Sequence, residues 1–129
     1  FIFAFRWLFI GPAGSYSRLH VDPVGSAAWN ACIQGRKRFV FYPPESLHNL
    51  HRDMSDPQAE AHLYPAYLRD ASAVLTPGEE LLVEAGDVVY APPGWPHFVE
   101  NLDECCVSVT ENFVRFRSAD FDHFRRALE

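Results

Sequence analysis

His20-Val21-Asp22 sits in the run Arg18 to Asp22, which has strand character, so its outer members are two residues apart. Successive strand side chains point to opposite faces. The spacing therefore puts an imidazole and a carboxylate on one face, with Leu19 and Val21 on the other. A second imidazole, His97, follows Pro92-Pro93-Gly94-Trp95-Pro96, a rigid turn that would deliver it at the start of a strand. Two histidines and one carboxylate are the ligand set that holds a single divalent ion such as iron(II) on one side and leaves its other positions open.

The tripeptide is weak evidence by itself. With 6 histidines and 17 acidic residues in the chain, a chance H-x-D/E is about an even bet, and a hydrogen-bonded pair at a strand end is the plain alternative. The chain carries its own decoy, His51-Arg52-Asp53, in a polar stretch without apolar alternation, which reads as a surface loop. The context of the first motif comes from Lys37, the single lysine of the chain. It opens the strand Lys37-Arg38-Phe39-Val40-Phe41 on the face of Phe39 and Phe41. If those rings fill a core, the ammonium points inward as well, and a buried ammonium is costly unless an anion meets it. The alternative is that Arg36-Lys37-Arg38 is a solvated basic turn.

The elements that must position these groups follow from composition and punctuation. The 129 residues suffice for one domain, and 15% aromatics with 10 prolines and 7 glycines favour short strands joined by turns. The net charge of -6 argues against a domain that binds nucleic acid through its overall charge. Cys32, Cys105 and Cys106 form neither a disulfide framework nor a zinc motif, which favours a reducing, intracellular compartment, nuclear or cytoplasmic. The apolar opening FIFAFRWLFI carries Arg6 and is half the ~20 residues of a membrane span, so it reads as a strand with no membrane partner. Strand signals lie at residues 1–10, 18–22, 28–33, 37–42, 80–83 and 88–91, and alternation runs through 98–113. Residues 44–77 read as an inserted excursion, partly helical. Phe121, Phe124 and Leu128 predict a closing amphipathic helix over 118–128.

The runs GPAGSYSRLHVDPVGSAAWNACIQGRKRFVFYPP and EAGDVVYAPPGWPHFVENLDECCVSVTENF resemble the JmjC oxygenases, and among them the small JmjC-only protein hydroxylases of the lysyl-hydroxylase type. The resemblance spans residues 7–43 and 78–114. It implies a mainly β double-stranded β-helix, a jelly-roll or cupin-like barrel, using Fe(II), 2-oxoglutarate and O₂. The family's iron ligands fall on His20, Asp22 and His97. Its lysine for the far carboxylate of 2-oxoglutarate falls on Lys37, and its cosubstrate-lining asparagine falls on Asn30, beside Trp29. A hydroxyl residue of the family falls on Ser17, whose parity requires a bend before His20. Another falls on Thr110, with Ser108 competing, because the stretch before it is one residue longer than in the relatives. Trp29, Phe39, Phe41, Tyr90 and Phe98 are candidate apolar walls, with plain core packing as the alternative.

The implied activity is hydroxylation of a protein or peptide side chain, lysyl favoured and arginyl or histidyl open. N-methyl-lysine or -arginine demethylation uses the same chemistry. An inactive cupin-like binding module and a dioxygenase without cosubstrate are the other readings. The relatives also carry N-terminal elements, so residues 1–129 are expected to be one JmjC-like core lacking them. The spacing does not give the oligomeric state. Because metal binding needs neutral histidines, affinity is expected to weaken as pH falls toward ~6.

Overall fold

The computed structural model describes residues 5–52, 66–70 and 78–114. Within them the chain alternates between two antiparallel sheets. Strands β1 (Phe5–Gly11), β3 (Ala27–Gln34), β8 (Val88–Ala91) and β10 (Cys106–Phe113) form one, in the order β1-β10-β3-β8. Strands β2 (Tyr16–Val21), β4 (Lys37–Phe41), β5 (Leu50–Arg52), β6 (Ala66–Asp70), β7 (Glu79–Val83) and β9 (His97–Asn101) form the other, in the order β5-β6-β2-β9-β4-β7. Consecutive strands that switch sheets, as β3 to β4 and β9 to β10 do, are what wrap a jelly roll into a barrel. The expected mainly β, cupin-like barrel is what the chain forms.

The inner faces follow the period of two. On β10, Cys106, Ser108, Thr110 and Asn112 are all buried, and the residues between them are only partly so. On β4, Lys37, Phe39 and Phe41 point inward, and Phe39 and Phe41 join Val83, Val89, Ala28 and Cys32 in the apolar core. The four-stranded sheet thus presents a polar row to the interior at β10, where a plain core would be apolar. That row and the inward lysine are the first structural sign of a site.

Two expectations about the elements change. The alternating run 98–113 is two strands broken at Leu102–Cys105, and its halves belong to different sheets. The break is fixed by the Leu102 amide donating to the Arg36 carbonyl (2.9 Å) and by the Arg36 guanidinium on Asp103 (2.8 Å). The excursion 44–77 begins with a 3-10 turn, Pro44–Asn49, but its other described parts are strands. β6 pairs with β2 and β5 with β6, covering a sheet edge that would otherwise leave backbone groups unpaired. The rest of the excursion, residues 1–4 and the predicted C-terminal helix lie outside the described residues. No helix among the described residues is long and apolar enough to cross a membrane.

Candidate metal centre

His20 lies near the end of β2, and Asp22 follows immediately, as the chain leaves the strand for a 3-10 turn. His97 opens β9 and is the direct cross-strand partner of His20. The pairing brings the two imidazole centroids to 4.2 Å. The Asp22 carboxylate faces both rings, with Oδ1 at 3.8 Å from His20 Nε2 and Oδ2 at 4.0 Å from His97 Nε2. One ligand atom from each residue lies within 4.8 Å of the other two.

The tautomers suit a metal. His20 Nδ1 is 2.7 Å from the Arg18 carbonyl and His97 Nδ1 is 2.9 Å from the Trp95 carbonyl. A carbonyl only accepts, so each Nδ1 carries the proton and each Nε2 lone pair turns toward Asp22. Asp22 Oδ2 is buried without a hydrogen-bond partner, a costly state for a carboxylate oxygen. A divalent ion between the three residues would satisfy it, so the donor set fits a single metal of the iron(II) kind.

Burial acts on both kinds of group. It drives His20 down to about 3, with the neighbouring His97 adding to the effect. It pushes the Asp22 carboxyl above its ordinary value, against the opposing pull of His97 and a hydrogen bond from Asn112. Burial thus favours neutral His20 well below pH 6, so His20 is expected to add little to the weakening of metal affinity near that pH.

A cavity of about 590 Å³ opens beside the centre, and its lining includes Asn30, Lys37, Phe39, Ser17 and Thr110. Lys37 is 3% exposed. Its neighbours Arg36 and Arg38 point outward and pair with Asp103 and Glu80, so the basic run divides by strand parity and only the lysine turns in. Burial lowers the Lys37 ammonium from its ordinary range, with Cys106 and Cys32 pulling it back up. Its hydrogen bond goes to Asn101 Oδ1 at 2.8 Å, and among the described residues no carboxylate lies within ion-pair distance.

Asn30 lines the cavity, with Nδ2 3.4 Å from Ser108 Oγ and with Oδ1 buried and unpartnered. The bend that Ser17 required is present: Ser17 pairs with Val99 and His20 with His97, so β2 carries an extra residue and Ser17 returns to the cavity side. Of the competing hydroxyls, Thr110 lines the cavity and donates to the Trp29 carbonyl, whereas Ser108 is fully buried behind Asn30.

The aromatic walls differ from expectation. Trp29 and Tyr90 are cross-strand partners on the outer face, opposite in parity to the cavity-lining Asn30. Phe98 lies between the inward His97 and Val99 and packs on Tyr16 outside (5.7 Å). Phe39 does line the cavity, Phe41 backs His97 (5.4 Å), and Trp7 and Phe9 complete the wall from β1. Sequence reasoning missed Trp7 and Phe9, and also Asn101 and Asn112. The two asparagines share strand faces with His97 and Thr110, a signal that parity could have supplied.

An antiparallel jelly roll with a buried two-histidine, one-carboxylate cluster at a largely apolar cavity carrying a few polar groups defines a cupin with a candidate mononuclear metal centre. The cupin-like domain family matches residues 6–119. The chain belongs to that family.

Among similar proteins are "Arginine-specific demethylase JMJ22" of Arabidopsis thaliana (34% identical, 85% of this chain and 23% of that protein) and "2-oxoglutarate and iron-dependent oxygenase JMJD4" of Homo sapiens (34%, 85% and 27%). A third is "Bifunctional arginine demethylase and lysyl-hydroxylase psr-1" of Caenorhabditis elegans (32%, 84% and 29%). The chain thus spans about a quarter of the length of these relatives. The X-ray structure of E. coli ycfD shares the fold, with a TM-score of 0.61 at 16% identity over 91% of this chain and 27% of that one.

Proposed function

We propose that this chain is the catalytic core of an Fe(II)- and 2-oxoglutarate-dependent oxygenase that hydroxylates a protein side chain, with lysyl the favoured target. The observation that carries the reading is one cavity with a three-ligand cluster on one wall and a buried, charge-unpaired ammonium on another. A metal site alone fits many cupins. Adding a buried cation with no carboxylate partner among the described residues calls for an anionic ligand that reaches from the metal to the lysine. A dicarboxylate meets that demand, and 2-oxoglutarate is the dicarboxylate named for the relative from Homo sapiens.

His20, Asp22 and His97 would hold the iron, and Lys37 the far carboxylate. Thr110, Ser17 and Asn30 supply polar groups between them, and the unpartnered Asp22 Oδ2 is the buried acceptor that a bound cation would occupy. Bound iron would supply the oxidation itself, in which 2-oxoglutarate loses CO₂ to become succinate and the two atoms of O₂ go to succinate and to a substrate C–H bond. The protein's own part is to bind, to orient, and to keep water out with Phe39, Phe9 and Trp7.

Demethylation uses the same step on an N-methyl group, and the name of the C. elegans relative carries both activities. An intracellular location, nuclear or cytoplasmic, belongs to the same proposal, supported by the three free cysteines. The experiment is iron-dependent conversion of 2-oxoglutarate to succinate, followed by mass spectrometry of candidate peptides. A gain of one oxygen supports hydroxylation and loss of a methyl group supports demethylation. His20→Ala and Asp22→Ala are expected to abolish succinate formation, and normal turnover in either variant would refute the ligand assignment.

A further inference from the structure

Lys37 is held by a neutral group, and the way that group is itself fixed carries a further assignment. An ammonium has no acceptor capacity, so the Asn101 side chain must turn its oxygen to Lys37 (2.8 Å) and its Nδ2 away. Nδ2 then donates to Ser15 Oγ (2.8 Å), and the Ser15 hydroxyl, its lone pair used, donates to the Pro12 carbonyl. The backbone locks the same joint: the Gly14 amide donates to the Asn101 carbonyl (2.8 Å) and the Asn101 amide to the Ser15 carbonyl (2.9 Å). Gly11 leaves room for it. A Cβ there would stand 2.5 Å from Ser15 Oγ and 2.8 Å from Asn101 Nδ2.

We infer that Asn101, oriented by Ser15 and the Gly11–Ser15 turn, is a positioning residue that aims the Lys37 ammonium at the distal carboxylate of the dicarboxylate while leaving its charge unspent. This rests on the reading of the cavity in the preceding section. An aspartate at position 101 would hold the lysine as firmly in space but would neutralise it. The bound dicarboxylate would then meet an ion pair in place of a cation. The turn between β1 and β2 thereby becomes a determinant of cosubstrate affinity although it touches neither the metal cluster nor, through its backbone, the lysine.

The test is calorimetric binding of two anions to the Mn(II)-loaded full chain, where Mn(II) supplies the metal without turnover. One is 2-oxoglutarate. The other is oxalate, which chelates a metal but has no distal carboxylate. Asn101→Asp is expected to weaken 2-oxoglutarate at least about tenfold, the scale of a charge-assisted hydrogen bond, and to leave oxalate within about twofold, whereas general structural damage would weaken both.

Should Asn101→Asp fail to fold, Ser15→Ala carries the test, with an expected loss of about threefold or more for 2-oxoglutarate alone. Unchanged 2-oxoglutarate affinity in these variants, with Lys37→Ala still impaired, would overturn the role of Asn101 and leave the cavity assignment standing. A wild-type chain that binds no 2-oxoglutarate, or a Lys37→Ala variant that binds it normally, would overturn both.

Discussion

Asp22 is where function and stability pull apart. Its carboxylate is buried with one oxygen unpartnered, and burial raises its ionisation above the ordinary carboxylate value. A group whose folded pKa is raised destabilises the fold most when pH is high enough for it to ionise there, and not at all below its unfolded value of 3.8. Asp22→Asn in the metal-free protein is therefore expected to gain about 1–3 kcal/mol at neutral pH, a gain that fades as pH falls toward 3.8. Calorimetric melting at several pH values measures it, and a loss of stability at neutral pH would contradict the account.

His20 has the opposite sign. Its folded pKa is lowered to about 3, so folding stability drains as pH falls below 6.5 and the unfolded chain takes up the proton. The ligand residues were legible because strand parity and residue type agree at His20 and Asp22, and Lys37 was legible because it is the single lysine on an apolar-faced strand. Trp29, Tyr90 and Phe98 were misassigned because apolar character does not say which face a residue takes. Their inward neighbours Asn30, Val89 and His97 do.

At the level of elements, the β3–β4 turn sets Asn30 and Lys37 on opposite walls of one cavity, since it carries the chain from one sheet to the other. Gly35 makes the turn possible. Its φ is +76, and a Cβ there would meet Cys106 Sγ at 2.7 Å and the Cys105 carbonyl at 2.8 Å. Gly14 has a similar φ of +78 but open space around it. Gly14→Ala is expected to cost about 1–2 kcal/mol, the left-handed backbone penalty alone, and Gly35→Ala distinctly more, because packed neighbours must also shift. Equal losses in denaturant melts would show that the turn does not pack as described.

The β5 and β6 strands of the excursion escaped sequence reading because their pairing is set by partners distant in the chain, His20 with position 67 among them, and leaves no local pattern. The bend in β2 was legible as a parity demand at Ser17, and the extra residue that supplies it shows only in the pairing of Ser17 with Val99. The split of residues 98–113 was hidden likewise, because its determinant is Arg36 in the β3–β4 turn, distant in the chain.

Over the whole molecule, the metal is expected to act as a folding ligand, since its site joins β2, β9 and the following turn and has no counterpart in the unfolded chain. Mn(II) at a hundredfold excess over its dissociation constant should add about 2.7 kcal/mol, and Asp22→Asn should lose that protection despite its greater metal-free stability. A β-rich fold was foreseeable from short alternating strands and turn residues, and the barrel from the resemblance to the JmjC oxygenases. The site's polar lining on β10 was foreseeable only from the resemblance to the JmjC oxygenases.

The most direct test is a crystal structure of the chain with Mn(II) and 2-oxoglutarate. The account predicts one ion at about 2.0–2.3 Å from His20 Nε2, Asp22 and His97 Nε2, and the far carboxylate of 2-oxoglutarate on Lys37 Nζ. An ion bound elsewhere, or a dicarboxylate that leaves Lys37 uncontacted, would contradict it.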